Sequence, residues 1–152
     1  MNLIRTIRSW FTPDAVFETR LVGAQMPFRG SVEAAGLDLY ACEKLVRVAP
    51  GQTVMVDTGV VSKFNKGWCG FIWDRGSMGV KGIHRLAGVV DSDFRDTWKV
   101  IINNTTSETF VIRQGDRIAQ VVFQRVWMGK PKQGTVKVDS ERGTGAFGST
   151  GK

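Results

Sequence analysis

An aspartate at position 91 has the residue type and the setting of a general base. Asp91 lies in the segment GVVDSDFRD (residues 88–96), directly after the apolar residues Val89 and Val90, and Arg95 follows it. A carboxylate at the end of a strand, next to a basic residue, is suited to take a proton from water. The same position also suits an aspartate that serves only a turn or an ion pair, so both interpretations stay open at this point.

A glycine-containing turn follows the strand candidate GFIWD at residues 70–74. It reads RGSMG and begins with Arg75, Gly76 and Ser77. Glycines let backbone N–H groups converge on an anion, and an arginine side chain binds phosphate oxygens in pairs. This combination of residues predicts a phosphate-binding turn.

The C-terminal residues 139–152 (DSERGTGAFGSTGK) contain four glycines and a single large apolar residue, Phe147. So little apolar surface cannot order a segment by itself, and we expect a mobile arm. Arg142 is able to bind a phosphate, and the ring of Phe147 is able to stack on a nucleobase. The alternative is a solvated terminus without a function.

Several familiar motifs are excluded. Gly143, Gly145 and Gly148 match the dinucleotide-binding pattern GxGxxG, but only four residues follow the last of them, so the required helix cannot form. The final Gly-Lys pair lacks the first glycine and the following hydroxyl of a phosphate loop. His84 is the only histidine, which excludes metal sites that need two.

Composition narrows the class of protein. The chain has 152 residues, enough for one domain with a core, and 42% of them are hydrophobic, so the chain as a whole is not disordered. Its 21 Lys and Arg against 14 Asp and Glu give a net charge of +7, which favours an anionic partner. No apolar run approaches the ~18 residues of a membrane helix. Without a hydrophobic leader we expect a reduced, cytoplasmic protein, with Cys42 and Cys69 as small core residues.

The elements that must position these residues are short strands. From about residue 15 onwards, runs rich in Val, Ile, Phe and Trp alternate with turn residues, and no window predicts a helix of three turns. Besides GFIWD, the strand candidates are residues 45–48, 52–61, 99–102, 109–112 and 117–126. The polar loop NNTTSE between residues 102 and 109 predicts a hairpin. The pattern indicates an all-β sandwich or barrel, such as a jelly roll.

The chain divides into three parts by composition. Residues 1–14 form an N-terminal extension, residues 15–138 the β domain, and residues 139–152 the C-terminal arm. Within the extension, residues 1–12 place apolar side chains at helical spacing. They predict a short helix docked on its own domain, or an arm that binds a protein partner or a membrane surface.

Five segments stand in one order along the chain: AAGLDLYA (34–41), DRGSMGVKG (74–82), GVVDSDFRD (88–96), GDRIAQVVF (115–123) and RGTGAFGSTG (142–151). Together they resemble the five motifs of the trimeric dUTPases, over about residues 18–151. The resemblance implies a β jelly roll or distorted β-barrel, and a homotrimer in which three chains build shared active sites closed by a flexible C-terminal arm. It implies hydrolysis of dUTP to dUMP and pyrophosphate, with Mg²⁺ as cofactor.

Residue roles follow from the resemblance, position by position. Asp91 would activate the water that attacks the α-phosphorus, and Asp38 would hold Mg²⁺ through water. Contacts to the triphosphate are implied for Arg75, Gly76, Ser77, Gln120 and, on the γ-phosphate, Arg142. Phe94 would pack under the deoxyribose, Phe147 would stack on uracil, and a hairpin would read the base with backbone groups. The other implied substrate-binding positions are Arg85, Val89, Val90, Lys99 and Gly148.

Five positions depart from the family's usual residues: Gly76 (usually Ser), Arg85 (often Asn), Phe94 (usually Tyr), Asp96 (usually Gly) and Ala146 (usually Gly). None of these changes removes the base, the metal-binding aspartate or the arginine of the arm. We therefore expect an active enzyme. The sequence leaves open whether its rate is lower than that of its relatives.

Three other functions remain as alternatives. A dCTP deaminase would share the fold but would need its own catalytic glutamate. A binding or regulatory protein on the same scaffold is supported only by the basic N-terminal extension and by Gly76. Nucleic-acid binding would rest on net charge alone, and because the aromatic residues are not interleaved with basic ones, we do not expect it.

Overall fold

Short β-strands dominate the computed structural model, which describes residues 12–146. The strands are β1 (Val16–Thr19), β2 (Leu37–Tyr40), β3 (Leu45–Val48), β4 (Thr53–Asp57), β5 (Val60–Lys63), β6 (Trp68–Trp73), β7 (Ile83–Leu86), β8 (Val89–Asp91), β9 (Lys99–Asn104), β10 (Phe110–Arg113) and β11 (Arg117–Arg125). One helix of four residues, α1 (Gly76–Gly79), follows β6. The expectation of an all-β protein is confirmed.

The strands form two larger sheets and two isolated pairs, all antiparallel. One sheet has the order β2-β11-β6-β8 and the other β4-β9-β7, while β1 pairs with β5 and β3 with β10. The nine-residue strand β11 lies between β2 and β6, and its register sets Gln120 opposite both Asp38 and Trp73. The fourth motif is therefore held beside the first, and both lie next to the end of β6.

Aromatic packing fills the space between the sheets. Trp98 is 1% exposed, and its ring lies 5.7 Å from that of Phe17 in an edge-on arrangement. Phe123 of β11 completes this group, 6.1 Å from Phe17 and 6.4 Å from Trp98. Edge-on and tilted rings at these separations are favourable, so one core joins β1, β11 and the segment before β9.

The two cysteines behave as the sequence analysis predicted. Cys42 and Cys69 are buried and are not bonded to each other. Burial raises the pKa of both thiols, and for Cys42 the nearby Asp57 raises it further. Both side chains therefore act as small, neutral core residues. Within residues 12–146, no helix has the length and apolar character required to cross a bilayer.

The run predicted as one strand at residues 52–61 is two strands, and that prediction was wrong. The chain turns at Thr58 and Gly59, between β4 and β5. The Thr58 hydroxyl donates to the carbonyl of Trp98 at 2.7 Å. Gly59 has a φ of +66°, and a Cβ there would lie 2.6 Å from the Cβ of Ala24. This left-handed, crowded position favours glycine and ends the strand despite continuous apolar alternation.

The hairpin predicted around NNTTSE was also wrong, because β9 and β10 lie in different sheets. Asn104, which is fully buried, directs the change of sheet. Its Nδ2 donates to the carbonyls of Val48 (2.8 Å) and Glu108 (2.7 Å), and its Oδ1 accepts from the backbone N–H of Thr106 (3.0 Å). The side chain thus ties the end of β9 to β3 instead of forming a tight turn.

Replacing Asn104 by alanine should lower the free energy of unfolding by about 2–4 kcal/mol, because the carbonyls of Val48 and Glu108 lose their donor and the bond to Val48 is buried. Urea titration at fixed protein concentration measures this loss. Asn103→Ala is the matched control, since its Nδ2 donates to Thr53 (3.0 Å) and Gly51 (3.4 Å) where water can replace it. Equal losses in both variants would contradict the assigned role of Asn104.

Candidate functional site

The predicted phosphate-binding turn follows the end of β6. Arg75 is extended (φ −81°, ψ 140°) and directly precedes α1. Its Nη1 donates to the hydroxyl of Ser77 at 3.2 Å, so the arginine and the hydroxyl face each other. A Cβ on Gly76 would have no neighbour within 4 Å. The serine that the family usually has after the arginine would therefore fit at Gly76, and glycine is not required there by packing.

Two arginines bind the first-motif aspartate. Arg75 Nε donates to Asp38 Oδ1 at 2.8 Å, and Arg117 Nη1 donates to Oδ2 at 3.1 Å. The Asp38 side chain is 15% exposed, so the pair of guanidinium groups compensates a largely buried carboxylate. Sequence reasoning missed Arg117. Its only signal was a basic residue at the start of the strand next to Asp38, and strand pairing had to be known to use it.

Gln120 joins the same cluster through Asp74. Its Nε2 donates to the Asp74 carbonyl at 2.9 Å, and a Cβ at Gly36 would lie 2.5 Å from its Oε1. A cleft of about 550 Å³, called the basic cleft below, opens beside the turn. The charged and hydroxyl side chains that line it are Arg75, Ser77, Lys81, Arg113, Asp116 and Arg117. Four of these lining side chains are cationic and one is a carboxylate, and even with Asp38 paired to Arg75 and Arg117 the positive charges outnumber the negative ones, so the cleft favours an anionic ligand.

A second cavity, of about 250 Å³, collects the residues of the third motif. The predicted site residues that line it are Val89, Val90, Asp91, Phe94 and Lys99. The other lining residues are Ile72, Ala87, Gly88, Thr97, Trp98 and Ile101. Asp91 ends β8 and is exposed at this cavity. The arrangement, apolar walls with one carboxylate at the edge, suits a nucleoside whose reacting end lies at the carboxylate.

Lys99 is held by acidic partners at the wall of this cavity. Its Nζ lies 3.3 Å from Asp96 Oδ2, 3.6 Å from Asp57 Oδ2 and 3.0 Å from Thr97 Oγ1. The backbone N–H of Thr97 and the ammonium of Lys99 both lower the pKa of Asp96. The extra charge at Asp96 is thus paired locally, and it does not stand free beside Asp91.

The structure places Arg85 outside the lining of the second cavity. Its guanidinium carbon lies 4.6 Å from the centre of the Trp73 ring, and Nη1 donates to the Ala87 carbonyl at 2.6 Å. The expected hairpin before Val89 and Val90 is also wrong, because its two strands are not paired with each other, whereas the expected reading of the base by backbone groups stays a prediction. β7 pairs with β9 and β8 pairs with β6, so Ala87 and Gly88 link two sheets.

Asp91 and the turn that begins at Arg75 lie at opposite ends of β6, whereas the second cavity extends along this strand as far as Ile72. Asp91 is opposite Cys69, whereas Arg75 follows Trp73 at the other end of the strand. Cys69 and Trp73 are four residues apart, about 13 Å along a strand at roughly 3.3 Å per residue. A single chain therefore separates its basic turn from its carboxylate.

The C-terminal arm is described only in part. Arg142 Nε donates to the Gly145 carbonyl at 3.0 Å, a bond within the arm, and Gly143 has a φ of +51°. The predicted contacts of Phe147 and Gly148 lie outside the described residues. Between β11 and the arm, Trp127, Val136 and Val138 are 75%, 90% and 72% exposed. This part of the chain leaves large apolar side chains uncovered.

Comparisons with known proteins give a consistent result. The chain is 40% identical to a deoxyuridine 5'-triphosphate nucleotidohydrolase of Debaryomyces hansenii, over 97% of this chain and 96% of the relative. It is also 40% identical to the enzyme of that name from Paramecium bursaria Chlorella virus 1, over 84% of this chain and 91% of the relative. The human mitochondrial protein of that name is 35% identical, over 85% of this chain and 51% of its own length.

Solved structures show the same fold. A Staphylococcus bacteriophage 80alpha dUTPase mutant with dUpNHpp superposes with a TM-score of 0.84 at 22% identity, over 91% of this chain and 98% of the phage chain. A mutant dUTPase of phage phi11 of S. aureus, described with a structural Mg(II) ion, gives a TM-score of 0.76 at 20% identity, covering 83% of this chain and 99% of its own. A sequence model named dUTPase matches residues 23–151. The chain belongs to the dUTPase family.

Proposed function

We propose that this protein hydrolyses dUTP to dUMP and pyrophosphate. The observation that carries the proposal is the position of Asp91, an exposed carboxylate at the edge of an apolar cavity that four other third-motif positions also line. A relative named for dUTP hydrolysis aligns with 97% of the chain. The net charge of +7 suits a substrate that carries about four negative charges.

In the proposed reaction, the Asp91 carboxylate takes a proton from water, and the water oxygen attacks the α-phosphorus. The bond between the α-phosphorus and the oxygen that bridges it to the β-phosphate breaks, and pyrophosphate leaves with that electron pair. Val89 and Val90 hold the nucleoside in the apolar cavity, and Phe94 packs against the sugar. Fixing the nucleoside in this way aligns the α-phosphorus with the water that Asp91 holds.

The phosphate chain is bound by the turn after β6. Arg75 keeps free guanidinium donors after its bond to Asp38, and Ser77 Oγ already faces it. Gln120 holds the Asp74 carbonyl and so fixes the start of this turn. Arg142 of the arm caps the γ-phosphate in the proposed closed state. These donors stabilise the charge that develops on the leaving pyrophosphate.

Asp38, beside the turn after β6, fits a magnesium ion that is held through water. No three His, Cys, Asp or Glu side chains of residues 12–146 converge into a metal cage. Asp38 is the acidic side chain bonded to Arg75, and Mg²⁺ commonly binds through one carboxylate, several waters and the substrate's phosphates. Asp38 would hold the ion, and the ion would supply positive charge to the triphosphate.

The active form is proposed to be a homotrimer with shared sites. Within one chain, the strand β6 separates Asp91 from Arg75, yet one nucleotide must contact both. Pairing the basic turn of one chain with the second cavity of another removes this separation. The exposed Trp127, Val136 and Val138 offer apolar surface for such contacts. The predicted partner-binding role of residues 1–12 falls almost entirely outside the described residues and stays a prediction.

Turnover of dUTP, dTTP, dCTP and UTP, measured with Mg²⁺ and again after chelation, tests the function. Of the four nucleotides, we expect only dUTP to release pyrophosphate, and we expect this release to stop when the metal is removed. The cavity wall at Phe94 should reject the ribose of UTP. Ammonia release from dCTP would indicate a deaminase, and dUTP binding without pyrophosphate would indicate a regulatory protein.

Shared sites are tested by co-expressing two inactive chains, Asp91→Asn and Arg75→Ala. If each site takes Asp91 and Arg75 from different chains, random mixing leaves about a quarter of the sites intact, and activity returns to that fraction. Each variant expressed alone serves as the control. Sedimentation should give three chains per particle. Absence of any recovered activity in mixed trimers would show that a single chain supplies both residues.

A further inference from the structure

The link between β7 and β8 has a strained backbone. Ala87 is the only non-glycine residue in the described part of the chain with a positive φ, at 60°. Gly88 follows with a φ of 113°, and both residues line the second cavity. The left-handed region costs an alanine about 1 kcal/mol or more, so the surrounding structure must hold this conformation in place.

Two hydrogen bonds hold the link, one at each residue. The backbone N–H of Ile72 donates to the Gly88 carbonyl at 2.8 Å, and a Cβ on Gly88 would lie 3.0 Å from the Ile72 carbonyl oxygen. The Ala87 carbonyl accepts from Arg85 Nη1 at 2.6 Å. The first bond is made between backbones and does not depend on side-chain type. The second depends on the side chain of Arg85.

Arg85 is itself fixed from three directions. Its guanidinium lies over the Trp73 ring at 4.6 Å, its backbone N–H donates to Asp74 Oδ1 at 2.7 Å, and its Nε lies 4.0 Å from the same oxygen. The arginine side chain is 23% exposed. A guanidinium packed on an aromatic face and beside a carboxylate keeps one orientation, so it is a rigid donor for Ala87.

We propose that Arg85 is a positioning residue that fixes the Ala87–Gly88 link and thereby sets the selectivity for the nucleobase. The inference rests on the proposed function, in which the second cavity receives the nucleoside. The O4 of uracil accepts a hydrogen bond, whereas cytosine presents an amino donor at the same place. If the Ala87–Gly88 peptide could rotate, it would offer its N–H to uracil and its C=O to cytosine, and it would bind both bases. A peptide held in one orientation distinguishes the two bases.

The test compares wild-type protein with Arg85→Met and Arg85→Lys. Methionine keeps apolar contact with Trp73 but has no donor, whereas lysine keeps one. Calorimetry measures the binding of dUMP and dCMP, which requires no hydrolysis, and steady-state assays give kcat and KM for dUTP and dCTP. Arg47→Met is the matched control, because Arg47 is an exposed strand arginine that lines neither cavity. Thermal unfolding shows that each variant is folded.

We expect Arg85→Met to reduce the dUMP-to-dCMP affinity ratio about tenfold, mainly by weakening dUMP binding, and to raise KM for dUTP more than it lowers kcat. Arg85→Lys should fall between Met and wild type. A folded Arg85→Met variant with an unchanged ratio would overturn the inference. Wild-type protein that binds dUMP selectively but hydrolyses no nucleotide would contradict the proposed function alone, and a fall of that ratio in Arg85→Met would still support the inference.

Discussion

The Asp91→Asn variant is expected to bind dUTP with nearly the wild-type affinity and to lose about 10²–10⁴-fold in kcat. Asparagine has the shape of aspartate, so the cavity formed with Val89, Phe94 and Lys99 should not change. The amide cannot take a proton from water at neutral pH, and so the attacking oxygen is not activated. Affinity is measured by calorimetry with a non-hydrolysable dUTP analogue, and kcat by pyrophosphate release.

Asp93→Asn is the matched control for this experiment. Asp93 lies two residues farther along, is also exposed, and does not line the second cavity. Its replacement removes the same charge two residues beyond the end of β8, so it reports any general electrostatic effect on the substrate. We expect kcat to stay within about twofold of wild type. If both variants lose activity equally, Asp91 acts through its charge and not as a base.

The residues around the second cavity could be predicted because they are close in sequence. Val89, Val90, Asp91, Phe94 and Lys99 lie within eleven consecutive residues, and the cavity is formed largely by that stretch folding on itself. Strands such as β3 and β11 were predicted nearly to their ends for the same reason. Local alternation of apolar and polar residues is a property of the strand itself.

Features that depend on pairing between distant strands could not be predicted. Arg117 reaches Asp38 across 79 positions of sequence, and the contact follows from the pairing of β11 with β2. Asn104 lies in a run of turn-forming residues, yet tertiary structure buries it completely. A short polar loop favours a hairpin only if its flanking strands do not pair with other strands. β9 pairs with β4 on one side and β7 on the other, so no edge is left for β10.

The departures from the family pattern have different structural consequences. Gly76 has open space around it, so its effect is limited to the missing hydroxyl. Asp96 adds a charge, but Lys99 pairs with it at 3.3 Å. Arg85 takes on a contact of its own, to Ala87. The proposed base Asp91, the proposed phosphate ligand Arg75 and the proposed metal ligand Asp38 are not among the changed positions, which is consistent with a working hydrolase.

Removing residues 139–152 is expected to lower kcat/KM for dUTP by about 10²-fold or more while leaving the assembly and its thermal stability unchanged. Among residues 12–146, Arg142 bonds only within the arm, to Gly145, and Gly143 adopts a left-handed φ, so nothing described there supports the core. The proposed contribution of the arm is made when it closes over bound nucleotide, excludes water and adds a cation at the γ-phosphate.

A point variant separates the charge of the arm from its mere presence. Arg142→Ala should reproduce much of the loss, because a missing charge-assisted donor at a triphosphate costs about 10–10²-fold. Lys137→Ala removes an exposed cation just before the arm and should leave kcat/KM unchanged. Sedimentation and thermal unfolding are measured for all three variants. Full activity in the truncated protein would show that the phosphates are capped from the β domain, where Lys81 and Arg113 of the basic cleft are the available cations.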